Sequence, residues 1–552
     1  VKILLKFMAK LTEETNPFSR VTKLIELEKS DIFVIVFLTL GAGFLALATP
    51  IAVQTLVNIV TMGGVAQPLI LVSFMLFILL VFSGGLNLLE TYVVELIQRR
   101  IFVRNTLQSA AKAQAMQVSV RDSENTVELM NRFFDVSTVQ KSTYQLLTNG
   151  IAAVLQAIVG SVVLMFYSFY FGLAVLFLLF IAWITVKVVG RLAVQTAISE
   201  SYAKYDTAAW LESIGRNLTM FKFGTSQAHA MQRADALANN YLERRKKHFS
   251  TLFMQNILAT LTYATAATLM LGLGGWLVMQ GQINLGQFIA AELITFTVLA
   301  AFVRFVAQLE YLYDLMAGLD KLGVLHGLPS ERVGGHHLQP TQAYSVEAYQ
   351  LTLPAVQRQR IVNLHVESGK SLAILVDSEN AKSSLAELLV GLRTPLSGLV
   401  KINNLDIRQL DLSTMRQHVA YIQHIETLEE SILTNLTLQH PETSLQEVQN
   451  VLSKFGMIEA INALPNGLDT LLLPSGAPLT NMQSRILMVA RAILMEPRLI
   501  VVEGLLDGLH GDELDTVCKA LVASIDGWSL IVVTALPSIA KRFNETYELD
   551  KQ

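Results

Sequence analysis

Six apolar segments constrain this chain more than any other feature: Phe33–Leu56, Leu69–Leu89, Ile151–Tyr167, Tyr170–Val186, Ile257–Met279 and Phe288–Val303. Each is long enough, or nearly so, to cross a hydrocarbon layer of about 30 Å as a helix. A bilayer offers no water to backbone N–H and C=O groups, so a spanning segment has to satisfy them internally, which a helix does. Apolar residues make up 52% and charged residues 16% of the 552, in keeping with a membrane protein, and the net charge of −3 gives no reason to expect nucleic acid as a partner. Five segments carry no charge and the sixth holds Glu292. A central acid costs about 2.5–3.5 kcal/mol on the insertion scale, so Glu292 either lines a substrate path or pairs with a polar group inside the bundle. Pro50 is expected to kink the first segment. Tyr167-Ser-Phe-Tyr170-Phe-Gly172 is expected to break the third from the fourth, with aromatics suited to the membrane interface.

Loop charge sets an expected orientation. The short loops after segments one, three and five contain no Lys or Arg. The N-terminus carries Lys2, Lys6, Lys10, Arg20, Lys23 and Lys29; the loop after segment two includes Arg99, Arg100, Arg104, Lys112, Arg121 and Arg132. The loop after segment four includes Arg191, Lys204, Arg216, Lys222 and Arg244-Arg-Lys-Lys247. The positive-inside rule then places both termini and both long loops in the cytoplasm of an inner (plasma) membrane protein. The long loops are rich in Ala, Leu, Glu and Gln and read as helical extensions of the spans. Phe18–Glu28 reads as an amphipathic elbow helix on the membrane surface. The charged stretch ahead of the first apolar segment argues against a cleaved signal peptide. A single cysteine, Cys518, excludes an intramolecular disulfide.

Segment six continues as helix to about His326, before Gly327 and Pro329 stop it. Residues 329–343 read as a polar linker, and Gly334-Gly335-His336-His337 within it as solvated rather than metal-binding. From Tyr344 the texture changes to short β-branched strands alternating with helices, an α/β domain over residues 344–552. Its strands include Arg360–Val366, Ser371–Leu375, Val419–Ile422, Leu499–Val502 and Leu530–Thr534. Strand Ser371–Leu375, loop, Lys382-Ser383-Ser384 and a helix through Leu385–Val390 is the layout of a phosphate-binding P-loop. Gly is missing where Val376 and Ala381 stand, and Glu379 replaces a third frequent Gly. Those glycines let successive N–H groups form a nest for phosphate; a side chain held there in the left-handed region is expected to cost about 1–2 kcal/mol. Asp377 and Glu379 also bring negative charge to where phosphates would lie.

Six spans, long cytoplasmic helical loops and a C-terminal P-loop-like domain together resemble an ATP-binding cassette (ABC) exporter half-transporter. The fold class this implies is an all-α six-helix exporter transmembrane domain, residues 1–328, followed by an α/β ABC nucleotide-binding domain. The likeness is most specific from Leu479-Thr-Asn-Met-Gln483 to Leu499-Ile-Val-Val-Glu503, which is similar to the family's signature motif, the helix behind it and the Walker B strand. Asn131-Arg-Phe-Phe-Asp135 is similar to the type I secretion and bacteriocin-exporter branch. Thr126–Asp135 and Tyr205–Ser213, with Trp210, stand where the resemblance puts the two coupling helices.

Motif by motif, the resemblance implies lost chemistry. Asn481 and Met482 replace both signature glycines, while Leu479, Thr480 and Gln483 are kept. Glu503 stands for the Walker B Asp and Gly504 for the catalytic Glu, a general base worth roughly 10²–10⁴ in rate. Ala535 replaces the switch histidine, and Gly508-Leu509-His510 the Ala-Leu-Asp that follows Walker B. Carried over residue by residue, vestigial nucleotide contacts fall to Lys382, Ser383, Ser384, Gln423, Thr480 and Gln483, and vestigial metal contacts to Ser383, Gln423 and Glu503. Tyr344 and Tyr349 are the nearest candidates for an adenine-stacking aromatic. The family's C-terminal helices are expected to be absent after the last strand. The resulting expectation is a dimeric half-transporter of an export system with negligible ATP hydrolysis and no tightly held cofactor, ATP and Mg²⁺ binding only weakly. Two other classes stand beside it: an ATPase-independent scaffold holding a periplasmic adaptor or a second ABC protein, and an active exporter with unusual catalytic residues. Because both the Walker B and signature sets are altered in one chain, pairing with a normal partner would spoil both composite sites, which favours a homodimer.

Overall fold

The computed structural model describes residues 17–61, 66–123, 125–167, 169–184, 187, 189–339, 341–353, 360–473, 475–523 and 527–549. The chain divides into two compact units. Described residues up to Met116 and Ser123–Pro329 form the first; Gln117–Asp122 and the residues from Ser330 onward form the second.

The first unit is all helix. Pro17–Leu27 begins with Pro in the first turn, where its missing N–H costs nothing. Arg20 in this helix donates to the carbonyls of Leu319 and Asp320 and pairs with the Asp320 carboxylate at 3.1 Å. The first apolar segment is two helices, Lys29–Ala46 and Ala48–Thr61, broken at Leu47. The break lies one turn before Pro50, which has no N–H to offer the preceding turn; Leu47 N–H instead bonds Phe44 O at 3.2 Å. Ala66–Ala115 and Ser226–Met279 carry the second and fifth segments far beyond bilayer thickness as continuous helices. Five helical stretches are long and apolar enough to cross a membrane among the described residues. The remaining segment lies in the shorter helix Phe169–Ile184, which follows Ile151–Tyr167.

Leu285–Gly327 is the axis of this unit. It opens on a reciprocal cap between Asn284 and Gln287 and packs against Ile151–Tyr167, Ser226–Met279, Gly190–Arg216 and Asp135–Gln145. Its contact with Ile151–Tyr167 needs Gly160, because a Cβ there would fall 2.5 Å from Val298 Cγ2. Glu292 is half-buried on this helix, and no hydrogen bond or ion pair within the chain reaches its carboxylate among the described residues. Beyond the apolar part, Lys321 is fully buried with its ammonium facing the Tyr202 and Tyr205 rings, and burial pushes its pKa down to about 7. Trp210 donates to Ala230 O at 3.2 Å and meets Phe221 and His229 edge-on, so it fastens two helices of this unit together.

The second unit has two sheets. One is antiparallel, in the order β2-β1-β4-β5, from β1 (Val346–Leu353), β2 (Arg360–Val366), β4 (Leu399–Ile402) and β5 (Leu405–Asp406). The other is parallel, in the order β6-β7-β8-β3-β9, from β3 (Ser371–Leu375), β6 (Val419–Ile422), β7 (Leu499–Glu503), β8 (Ser529–Thr534) and β9 (Glu545–Glu548). β7 and β8 are buried at every residue, as parallel strands covered on both faces must be, and their runs are correspondingly apolar.

Gln117–Asp122 groups with the second unit, while Thr126–Asp135 lies in the first. Within the second unit Arg121 pairs with the buried Glu387 at 2.6 Å, and Arg393 pairs with Asp122 at 2.6 Å. The expected linker is exposed at His336 and His337 yet not loose: His336 N–H donates to Gln409 O at 2.7 Å, and Glu331 takes both terminal nitrogens of Arg416. After β8 the chain continues into the helical turn Pro537–Ala540 and strand β9, so Leu530–Thr534 is not the last strand.

Candidate nucleotide site

The residues singled out for phosphate and metal, Thr480 and Gln483 excepted, lie beyond the C-terminal ends of four adjacent parallel strands, where open α/β sheets hold their ligands. β3 leads into Val376, β6 into Gln423, β7 ends on Glu503 before Gly504, and β8 ends on Thr534 before Ala535.

The loop after β3 does not wrap. Val376 is fully buried and its N–H donates to Thr534 O at 3.0 Å. The helix that follows runs Glu379–Leu389 with Ser378 at the N-cap, six residues earlier than the sequence suggested. No residue from Val376 to Ser384 has positive φ, so the expected left-handed strain does not arise. Removing the glycines is accommodated by starting the helix early instead. The backbone N–H groups of the loop thereby become those of the first helical turn, which Ser378 does not cap with its side chain.

Lys382 is nearly buried and already engaged. Its Nζ lies 2.9 Å from Glu379 Oε1 and 3.5 Å from Asp507 Oδ2. Burial works against its charge, but the bonds to Glu379 and the nearby Asp507 outweigh this and raise its pKa above the ordinary lysine value. Asp507 is held in turn by the Thr534 hydroxyl and by Ala535 N–H at 3.3 Å. Gly504 has φ +60°, and a Cβ there would fall 2.8 Å from Lys382 Nζ. The lysine therefore folds over the place where the family's catalytic carboxylate would stand.

Glu503 is buried and closed by uncharged donors. It accepts from the Ser383 hydroxyl, the Tyr421 hydroxyl and, at 3.3 Å, Gln423 Nε2. Burial, and then the Glu503 charge, push the Tyr421 pKa upward, so its proton stays on the phenol. Ser383, Gln423 and Glu503, the trio proposed for a metal, do meet in space. Ser384 follows Ser383 and is half-buried. Tyr421, Asp507 and Thr534 were missed by the sequence reading. An acid four residues past Walker B carries no pattern of its own, and its partners come from other strands.

Thr480 and Gln483 are not brought to this cluster. They form a reciprocal cap on helix Asn481–Leu494: Gln483 N–H donates to Thr480 Oγ1 at 3.2 Å and Thr480 N–H to Gln483 Oε1 at 2.9 Å. Two N–H groups of the kind an anion takes at a helix start are thus satisfied by side chains. Met482 turns inward against the core of the second unit. Tyr344 is fully buried against His418 and cannot stack on a base, whereas Tyr349 is exposed on β1.

Comparison with known proteins agrees with this architecture. A family model described as the ABC transporter transmembrane region matches residues 32–302, and one described as ABC transporter matches residues 360–503. The leukotoxin translocation ATP-binding protein of Mannheimia glucosida is 22% identical over 92% of this chain and 72% of its own length. The alpha-hemolysin translocation ATP-binding protein of Escherichia coli O157:H7 is 23% identical over 51% of this chain and 40% of its own. A bacterial Atm1-family ABC exporter solved with ATP bound superposes with TM-score 0.85 at 16% identity, covering 95% of this chain and 94% of its own. The ATP-binding cassette implies Mg-ATP as the ligand of such a domain. The chain belongs to the ABC transporter family, with a helical exporter-type transmembrane domain followed by an α/β nucleotide-binding domain, and is related to type I secretion ATP-binding proteins.

Proposed function

We propose that the chain is one half of a dimeric ABC export protein of the inner membrane whose nucleotide site no longer hydrolyses ATP. The observation that carries this reading is Lys382, whose ammonium is taken by Glu379 and Asp507 while Gly504 and Ala535 stand at the base and switch positions. In the arrangement they adopt, these residues do not fit a Mg-nucleotide. No glycine-built loop wraps the phosphates, and the cation meant for them has two carboxylates instead. A nucleotide titration on the purified full-length dimer tests the reading, with no saturable Mg-ATP binding expected below the millimolar range.

The dimer is proposed to be symmetric. One chain supplies only part of the spans such an exporter needs, and its altered Walker and signature residues leave no intact composite site with any partner. Protein expressed alone should give two-fold symmetric particles in single-particle images. Obligate equal-ratio co-purification with a second ABC chain would show the pairing to be wrong. A periplasmic adaptor is the further partner that fits an export role, by analogy with the toxin-translocation relatives.

The positive-inside pattern supports a specific topology. A Cys introduced near Gly172 or Gly281 should react with a membrane-impermeant maleimide in intact cells, and so should one near Gly63, which lies outside the described residues. Arg99→Cys and Arg244→Cys should react only after permeabilisation. Labelling of Arg244→Cys in intact cells would invert the orientation.

A further inference from the structure

The helices Gly190–Arg216 and Ser226–Met279 leave a groove of about 550 Å³ between them, lined in part by Thr196, Glu243, Lys246, Lys247 and Ser250. Its place on the membrane helices is what gives it interest. Lys247 precedes Ile257, the first residue of the fifth apolar segment, by ten positions, roughly 15 Å along a helix, and Ser250 by roughly 10 Å. A long basic side chain spans most of what remains to the headgroup layer.

Its cations differ from their neighbours. Arg245 pairs with Glu200 at 3.2 Å, and Arg244 donates to the Ser199 hydroxyl. Lys246 and Lys247 are exposed, and no carboxylate lies within ion-pair distance of either among the described residues. Glu243, the one acid among the described residues on the groove, sits a turn farther from the apolar segment than the lysines. On the bilayer side the surface turns apolar: Leu192, Phe249 and Phe253 are each more than half exposed, and the two rings stack at 5.8 Å. Lys246, Ser250 and Phe253, at spacings of four and three, form one stripe running from charge to hydroxyl to aromatic toward the membrane.

We propose that this groove holds the phosphodiester headgroup of an anionic phospholipid. Lys246 and Lys247 neutralise the phosphate, the Ser250 hydroxyl donates to it, and Leu192 with Phe253 lies along the acyl chains. Two unpaired lysines over a net negative headgroup favour an anionic lipid over a zwitterionic one, because the latter brings its own cation. The proposal depends on the membrane-spanning reading of Ile257–Met279 and not on the state of the nucleotide site.

The full-length protein, exchanged into detergent with equal amounts of phosphatidylglycerol and phosphatidylcholine, should retain phosphatidylglycerol preferentially by native mass spectrometry. Lys246→Gln/Lys247→Gln should weaken that retention about thirtyfold, from two lysine contacts near a membrane surface. Arg216→Gln/Lys222→Gln removes the same charge at the far turn between the two helices and should leave retention unchanged. Glu243→Gln should tighten it. Millimolar inorganic phosphate should not displace the lipid, since a free ion lacks the chains. Equal retention by wild type and Lys246→Gln/Lys247→Gln would overturn the proposal. So would equal retention of phosphatidylcholine, an equal loss in the control pair, or displacement by phosphate.

Discussion

Purified protein supplied with Mg-ATP is expected to turn over no nucleotide above the buffer rate, and Glu379→Gly with Asp507→Asn is expected to improve nucleotide binding at least tenfold without restoring turnover. The first half follows from Gly504 and Ala535. A missing general base alone is worth roughly 10²–10⁴ in rate, and neither neighbour can replace it, because Glu503 is closed by Ser383, Tyr421 and Gln423. The second half follows from Lys382. A carboxylate about 4 Å from a phosphate charge repels it by about 4 kcal/mol at an effective dielectric near 20. Glu379 is 76% exposed at its side chain and Asp507 20%, so solvent screening leaves a smaller effect, and most of it falls to Asp507. Gly504→Glu by itself should not bring hydrolysis. Its Cβ would meet Lys382 Nζ at 2.8 Å, and its φ of +60° strains any side chain by about 1–2 kcal/mol. Isothermal titration and phosphate release measure both halves. Vanadate-sensitive turnover by the wild type would refute the first, and unchanged affinity in the double variant the second.

These outcomes also mark what could and could not be read from the residues. The lost glycines, Gly504 and Ala535 are local substitutions in a frame of strands whose apolar runs are plain. Ser371–Leu375, Val419–Ile422 and Arg360–Val366 fall at the ends expected from their β-branched runs. β1 was missed because a register shift between Ala348 and Leu351, with Gln350 at φ +45°, spoils its alternation. β9 was missed because Glu545-Thr-Tyr-Glu548 is an edge strand with little to bury. The early helix start was within reach, since Ser378 followed by Glu379 is a cap residue followed by an acid in the first turn. The P-loop template hid it. The Lys382–Asp507–Thr534 chain was out of reach, because each link joins residues far apart in sequence and depends on strand order β7-β8-β3. The membrane half shows the same division: apolar length gives the spans and Pro50 the break near it, while the close approach at Gly160 needs the packed neighbour.

Glu503→Ala should destabilise the second unit by about 3 kcal/mol, since hydrogen bonds to a charged group are worth about 1.5–3 kcal/mol each and buried donors left unpaired cost more. In a working cassette the acid at this position holds Mg²⁺ and its loss is felt in catalysis. Here the same side chain is 3% exposed and joins three donors from three elements: Ser383 on the helix after β3, Tyr421 on β6 and Gln423 just beyond it. Its carboxylate therefore ties the sheet across β6, β7 and β3, and truncation strands two hydroxyls in a closed space. For a unit of this size about 3 kcal/mol corresponds to a midpoint lower by about 6–12 °C. Glu503→Gln should recover more than half of the loss, because its carbonyl still accepts and hydroxyls can turn to accept from its amide. Added Mg²⁺ should not raise the wild-type midpoint. Differential scanning calorimetry of the full chain, with hydrogen exchange at β7 and β8 to assign the transition, measures all three. A Mg²⁺-dependent rise in the wild type that disappears in Glu503→Ala would mean that the acid still binds metal and that its present donors stand aside for it.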